Sequence, residues 1–329
     1  MNNVINSFFD SIQSDRFYYY GLSIILVVLY HSNCFGFDIF LFRPFKAAYI
    51  GVDIFMFFSA YGCCYSFEKN KLHIFYGRRL RKIYPTYLFF AVFISVCTEI
   101  GGGNLSLYDW ICNLSLLWYT GIGGIYIEWY MTAILILYFL FPLFYNISIK
   151  ADLMGFLIVI VFCVILLLNV NMEWWHKTII GRIPMYYAGC LLFFNHRKSQ
   201  KVEKELDVFY FFLKWFTILI LALLLIFIYH VKGFISVDLG APFLMFLFFF
   251  ISLVIHKYNT LYSFLQLCGK YSLQIFAANG LTLYILNQSK LDVLGSYFFY
   301  FLLTVLLSFF FAQYDLCVNW LLNKIMRTR

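Results

Sequence analysis

Residues 51–87 read GVDIFMFFSAYGCCYSFEKNKLHIFYGRRLRKIYPTY, and this stretch decides how the chain folds. Its first half, 51–67, is apolar enough to span a bilayer, yet it carries an acid, Asp53, close to its start. A carboxylate inside lipid meets neither water nor counter-ion, so it needs a partner or a chemical task. The second half is dense in cations, with Arg78, Arg79, Arg81 and Lys82 next to a new apolar run. We expect a basic hairpin between two spans, where guanidinium and ammonium groups at a membrane edge attract phosphate.

Composition carries the membrane reading over the whole chain. Of 329 residues 63% are hydrophobic, 23% aromatic and only 12% charged, far from globular usage. The 42 Phe and 27 Tyr supply lipid-facing surface and interfacial belts. The net charge of +8 sits in short loops between apolar runs, which argues against nucleic acid as a partner and for membrane lipid. Nine Cys are scattered, without a C-x-x-C pair and odd in number. They read as small apolar residues inside helices, not as a disulfide or zinc framework, and no metal is expected. The opening MNNVINSFFDSIQSDRF has neither a basic start nor a small-residue cleavage site, so the first span is expected to stay as an anchor.

A bilayer core takes about 20 apolar residues per helix. By that measure the chain is an all-α polytopic membrane protein with ten transmembrane helices in one bundle: 17–36, 47–67, 83–100, 127–147, 153–170, 178–195, 209–230, 237–256, 270–288 and 295–320. Residues 1–329 form a single domain, with the polar tract 195–207 as the place for any subdivision. The Gly-rich tract 101–126 reads as a loop with an interfacial helix or a re-entrant segment. No internal repeat of the kind found in inverted-repeat transporters is visible. With the N-terminus inside, 17 Lys and Arg fall on the cytoplasmic side against six outside. Both termini are therefore expected in the cytoplasm.

The candidate chemistry starts with His31, some five residues before the outer end of the first span, and Asp53, some six residues into the second. Neighbouring antiparallel spans put the two side chains at similar depth. Such a pair can orient and charge an imidazole and make it a general base. The bland alternative is a packing histidine bonded to a carbonyl and an aspartate that caps a helix. Arg78, Arg79, Arg81 and Lys82 are either a positive-inside anchor or a phosphate cradle, for which Arg forks suit best. Glu128 and Trp129 open the fourth span and Arg182 opens the sixth, with Trp174, Trp175 and His176 nearby. Acid, Arg and aromatic faces together can bind a sugar; they can also be interfacial anchors. Asp315 in the last span gets no role from the sequence. There is no G-x-S-x-G, H-E-x-x-H, Walker A or G-x-G-x-x-G, so the corresponding chemistries lack support.

Taken in order, several segments resemble the integral-membrane acyltransferase 3 family. They are GLSIILVVLYH ending at His31, GVDIFMFFSAYG at 51–62, FYGRRLRKIYPTY at 75–87, WYMTAILILYFLFPLF from Trp129, RIPMYYAGCLLF from Arg182, and CGKYSLQIFAAN at 268–279. The chain departs from the family pattern at Tyr20, Lys82, Ile134 and Asn279, where Arg, Arg, Glu and His are common. The resemblance implies a bacterial cytoplasmic-membrane enzyme that transfers an acyl group, usually acetyl from acetyl-CoA, to a glycan or lipid-linked saccharide. It implies His31 as catalytic base with Asp53 steadying the imidazolium, and Arg78, Arg79, Arg81 and Lys82 on the donor's phosphates. Glu128, Trp129, Arg182 and Asn279 are the candidate acceptor-binding residues. From the inner end of its span His31 is about 22 Å away at 1.5 Å per residue, a distance an extended pantetheine arm largely covers. The alternatives are a carrier or flippase for a lipid-linked sugar or small anion, and a degenerate acyltransferase serving as a binding partner.

Overall fold

A computed structural model describes residues 15–32, 48–125, 127–150, 153–169, 172–201, 258–288 and 293–327. All regular structure among these residues is helical: α1 (Arg16–Ser32), α2 (Ile50–Lys69), α3 (Leu72–Ile100), α4 (Leu107–Leu114), α5 (Trp129–Lys150), α6 (Leu153–Asn169), α7 (Trp174–Lys201), α8 (Asn259–Lys270), α9 (Ser272–Gln288), α10 (Val293–Arg327) and a 3₁₀ turn at Leu117–Thr120. Four helices are long and apolar enough to cross a membrane: Ile50–Lys69, Leu72–Ile100, Trp129–Ile149 and Phe298–Lys324. The spans expected at 209–230 and 237–256 lie outside the described residues.

Two boundaries differ from the sequence reading. The basic hairpin is helix: α3 begins at Leu72, and only Asn70 and Lys71 turn the chain, with the Asn70 amide donating to the Ser66 carbonyl at 2.7 Å. Leu, Arg and Lys are strong helix formers, and Phe75 and Ile83 anchor the basic turns from the buried side. Likewise α7 continues to Lys201, through the first residues of the tract read as a polar linker. α8 was not foreseen, because twelve residues of mixed polarity fall below any span threshold.

The helices group into two compact units interleaved along the chain. One takes Met1–Ser23, Tyr49–Lys71 and Leu140–Lys270; the other takes Ile24–Ala48, Leu72–Phe139 and Tyr271–Arg329. In the first unit α2 packs on α7, and a Cβ added to Gly189 would stand 2.2 Å from the Phe57 carbonyl oxygen, so the two backbones touch there. Asp53 meets Arg182, Tyr65 meets Phe193 and Glu68 meets Arg197, so the pairs advance together and the helices run parallel.

In the second unit α3 runs antiparallel to α10, through Thr86–Asp315 and Phe89–Phe311, and parallel to α9, through Phe90–Gly280 and Thr98–Tyr284. The buried side chains Val28, Leu286 and Tyr300 form an apolar cluster with Ile275, Leu283, Phe301 and Leu303. The tract after α3 is pinned back onto it. Ser106 and Asp109 close a capping box at the start of α4. Asn113, fully buried, donates to the Ser95 hydroxyl and accepts from the Ile125 N–H, both at 2.9 Å. Tyr87 donates to the Asn113 carbonyl and accepts from the Trp118 indole at 2.9 Å. Where the sequence left a loop with an interfacial helix or a re-entrant segment open, the described residues 101–125 hold the short helix α4 and a 3₁₀ turn.

Asn113→Ala is expected to cost about 1–3 kcal/mol, because it leaves the Ser95 hydroxyl and the Ile125 N–H without their partner. Ser106→Ala should cost about 1 kcal/mol through the lost cap. The Asp109 carboxyl is held below its ordinary value by the Ser106 hydroxyl first, then by the N–H groups of Gly124 and Ser106. Its contribution is therefore complete above the ordinary carboxylate pKa and is lost as pH falls through the lowered one. Denaturant and thermal unfolding in detergent check all three, and an unchanged midpoint for Asn113→Ala would show that the tract is not pinned.

Candidate active site

His31 sits in the last turn of α1, with ring Nδ1 2.5 Å from the Asn279 Oδ1 of α9. Asn279 is 1% exposed, and its Nδ2 donates to the hydroxyl of Tyr300 on α10, which is fully buried. The Tyr300 hydroxyl donates to the Val28 carbonyl at 2.7 Å, one turn before His31. The path from α1 through α10 and α9 thus returns to α1. Tyr300 escapes notice in the sequence, since one Tyr among 27 carries no signal.

Glu128, immediately before α5, reaches the same stretch of α9. A Cβ on Gly280 would lie 3.1 Å from Glu128 Oε2 and 3.4 Å from the Phe90 ring, so the carboxylate stands close against the bare backbone at 280. The Tyr130 N–H donates to Oε1 at 3.3 Å. His31, Asn279 and Glu128 are thereby gathered at positions 279–280 of α9. Trp129 is half-buried beside Glu128, its ring edge-on to Tyr130, which packs on Phe276 of α9.

Asp53 and Arg182 belong to the first unit. Arg182 Nε stands 3.9 Å from Asp53 Oδ1, and both side chains are buried. The partner expected for Asp53 was His31; the charge partner the structure provides is Arg182, and the partner it provides for His31 is Asn279. Charge complementarity was the available signal, because a buried acid and a buried guanidinium in apolar helices stabilise one another far better than either stands alone.

The basic run divides. On a helix, positions three and four apart share a face, and Arg78, Arg81 and Lys82 lie exposed together. Arg79 points the other way, its guanidinium 5.5 Å from the Phe75 ring centre and 5.3 Å from that of Tyr138 on α5. Asp315, without a role from sequence, accepts from the Thr86 hydroxyl at 3.0 and 3.1 Å and from Gln274. Among the described residues no three His, Cys, Asp or Glu side chains gather in a way that could hold a metal.

A helical membrane protein with a half-buried histidine ring and an exposed row of cations at one helix start is a class that the sequence comparison narrows. The family model described as an acyltransferase domain matches residues 21–313, from α1 into α10, and the chain belongs to the acyltransferase 3 family. No curated protein and no solved structure matches the chain. The protein is thus a membrane acyltransferase.

Arg182→Met is expected to destabilise the protein by about 3–5 kcal/mol, since it removes the buried cation that faces the Asp53 carboxylate. The paired change Asp53→Asn with Arg182→Gln should cost clearly less. Denaturant titration in detergent measures both; equal costs would mean that the two charges do not support each other.

Proposed function

We propose that this protein transfers acetyl from acetyl-CoA to a hydroxyl of a cell-surface glycan, or of its lipid-linked precursor, with His31 as general base. The observation that carries the reading is the His31 ring fixed at the end of an apolar helix, in the same compact unit as the exposed cations of α3. Arg78, Arg81 and Lys82 hold the donor's phosphates from the cytoplasm. Arg79, sandwiched by Phe75 and Tyr138, braces that turn of α3 against α5 and adds its charge from behind. The thioester end reaches inward toward His31.

The acceptor hydroxyl gives its proton to His31 as its oxygen attacks the thioester carbonyl. The new C–O bond forms, the C–S bond breaks, and the CoA thiolate takes the proton back from the imidazolium. Glu128 accepts a hydrogen bond from a neighbouring sugar hydroxyl, and Trp129 offers an aromatic face to the ring. Asn279, which the sequence placed among acceptor contacts, acts in this reading through His31. Asp53 serves by holding Arg182, whose charge attracts an anionic or polar acceptor. Both termini lie in the cytoplasm of a bacterial cell, where the donor is made.

Labelled acetyl-CoA added to membranes tests the reaction directly. His31→Ala at matched abundance should lower transfer by about 10²–10⁴-fold with donor binding kept. Wild-type transfer in that variant would remove His31 from the mechanism. Substituting Gln at both Arg78 and Arg81 should raise the KM for acetyl-CoA, each lost charge-assisted contact being worth about 1.5–3 kcal/mol. A double variant that inserts inverted, or is degraded with donor binding unchanged, would show the run to be a topology anchor. Passage of a lipid-linked sugar without acetyl transfer would favour the carrier reading.

A further inference from the structure

We infer that Tyr300 is a positioning residue, which acts through Asn279 to hold His31 in the tautomer that leaves Nε2 free to take a proton. The inference rests on the reading of His31 as general base. It follows from counting protons around the ring of contacts. The Val28 carbonyl has no proton to give, so the Tyr300 hydroxyl must donate to it. Tyr300 has one proton, and it is committed there. Toward Asn279 the phenol oxygen therefore presents lone pairs, which only the Nδ2 amide can meet. That orientation turns Asn279 Oδ1 to His31, where it accepts and nothing else. At 2.5 Å a lone pair on Nδ1 would face a lone pair on Oδ1, so Nδ1 carries the hydrogen.

A neutral imidazole has one N–H, and placing it on Nδ1 makes Nε2 the base. Asn279 is 1% exposed and Tyr300 is fully buried, so water is not at hand to replace either partner. Without the phenol hydroxyl the amide loses what orients it. It can then rotate half a turn and offer Nδ2 to Nδ1, which favours the opposite tautomer with Nε2 already protonated. Fixing the tautomer through the other ring nitrogen is the role of the partner that orients a functional histidine. In this chain an amide does it, and an amide, having two different ends, itself needs orienting. A carboxylate would not.

That asymmetry gives the test. Membranes carrying each variant are supplied with radiolabelled acetyl-CoA at varied concentration. Incorporation into the native membrane acceptor yields Vmax per enzyme molecule and the KM for acetyl-CoA. Tyr300→Phe keeps the ring in its apolar cluster and should lower Vmax by about 10–100-fold, as removal of the partner orienting a functional imidazole does, with KM unchanged. Asn279→Asp, which can only accept, sets its own Vmax, and Tyr300→Phe added to it should lower that Vmax no further. Wild-type Vmax in Tyr300→Phe would overturn the inference. So would the same fold-loss in both backgrounds, which is what a purely structural tyrosine gives. If Tyr300→Phe does not accumulate, the ¹⁵N shifts of the His31 ring in the wild-type protein decide alone, and a proton on Nε2 in place of Nδ1 overturns the inference. His31→Ala separates the two layers. Full activity there removes the base, whereas an inactive His31→Ala beside a normal Tyr300→Phe removes only the positioning role.

Discussion

A polar side chain within an apolar helix bundle has to find its hydrogen-bond partner in the protein, because lipid offers none. The ring joining His31, Asn279, Tyr300 and the Val28 carbonyl satisfies that demand with groups from three helices. Each bond adds only about 1 kcal/mol net, but leaving one buried group unmade costs about 1–3 kcal/mol. The ring is therefore held by the penalty for opening it more than by the gain from closing it. Its consequence is geometric, since α1, α9 and α10 can meet at that level in few other registers. The same requirement that fixes the helices also fixes the imidazole.

The remaining polar residues obey the same rule with different chemistry. Asp53 and Arg182 neutralise each other between two parallel helices whose backbones touch at Gly189. Asp315 accepts from Thr86 and Gln274, linking α10 to α3 and α9. Asn113 fastens the tract after α3 and so delivers the chain to Glu128 in a set position. Gly280 then matters for what it lacks, because a side chain there would stand against the Glu128 carboxylate. Packing and hydrogen bonding thus place the three side chains at positions 279–280 without any of them lying in a recognisable motif.

The start of α3 shows how one local fact changes a functional reading. A loop would leave four cations equivalent and free to wrap a phosphate. A helix sorts them by angle, sending Arg78, Arg81 and Lys82 to one exposed face and Arg79 onto the aromatic rings of Phe75 and Tyr138. Pro85 follows within the same helix and cannot donate to the Arg81 carbonyl, so the basic turn lies just before an interrupted step of the ladder. Donor affinity and helix packing are in this way assigned to different members of one short run.

Much was legible in the chain itself. Apolar runs near 20 residues gave the helical class and all the described spans, because burying a hydrogen-bonded helix in lipid is a property of composition and length. His31 and the basic run were visible as ionisable groups in places that lipid makes costly, and the family's motifs in order gave the acyltransferase. The partners were not legible. That Asp53 meets Arg182 and that His31 meets Asn279, 129 and 248 positions away, depends on which helix faces lie together. Apolar helices with weak periodicity do not announce their faces in sequence. The helical state of residues 72–82 was also decided in three dimensions, where Phe75 and Ile83 found buried surface that outweighs the polarity of the turns between them.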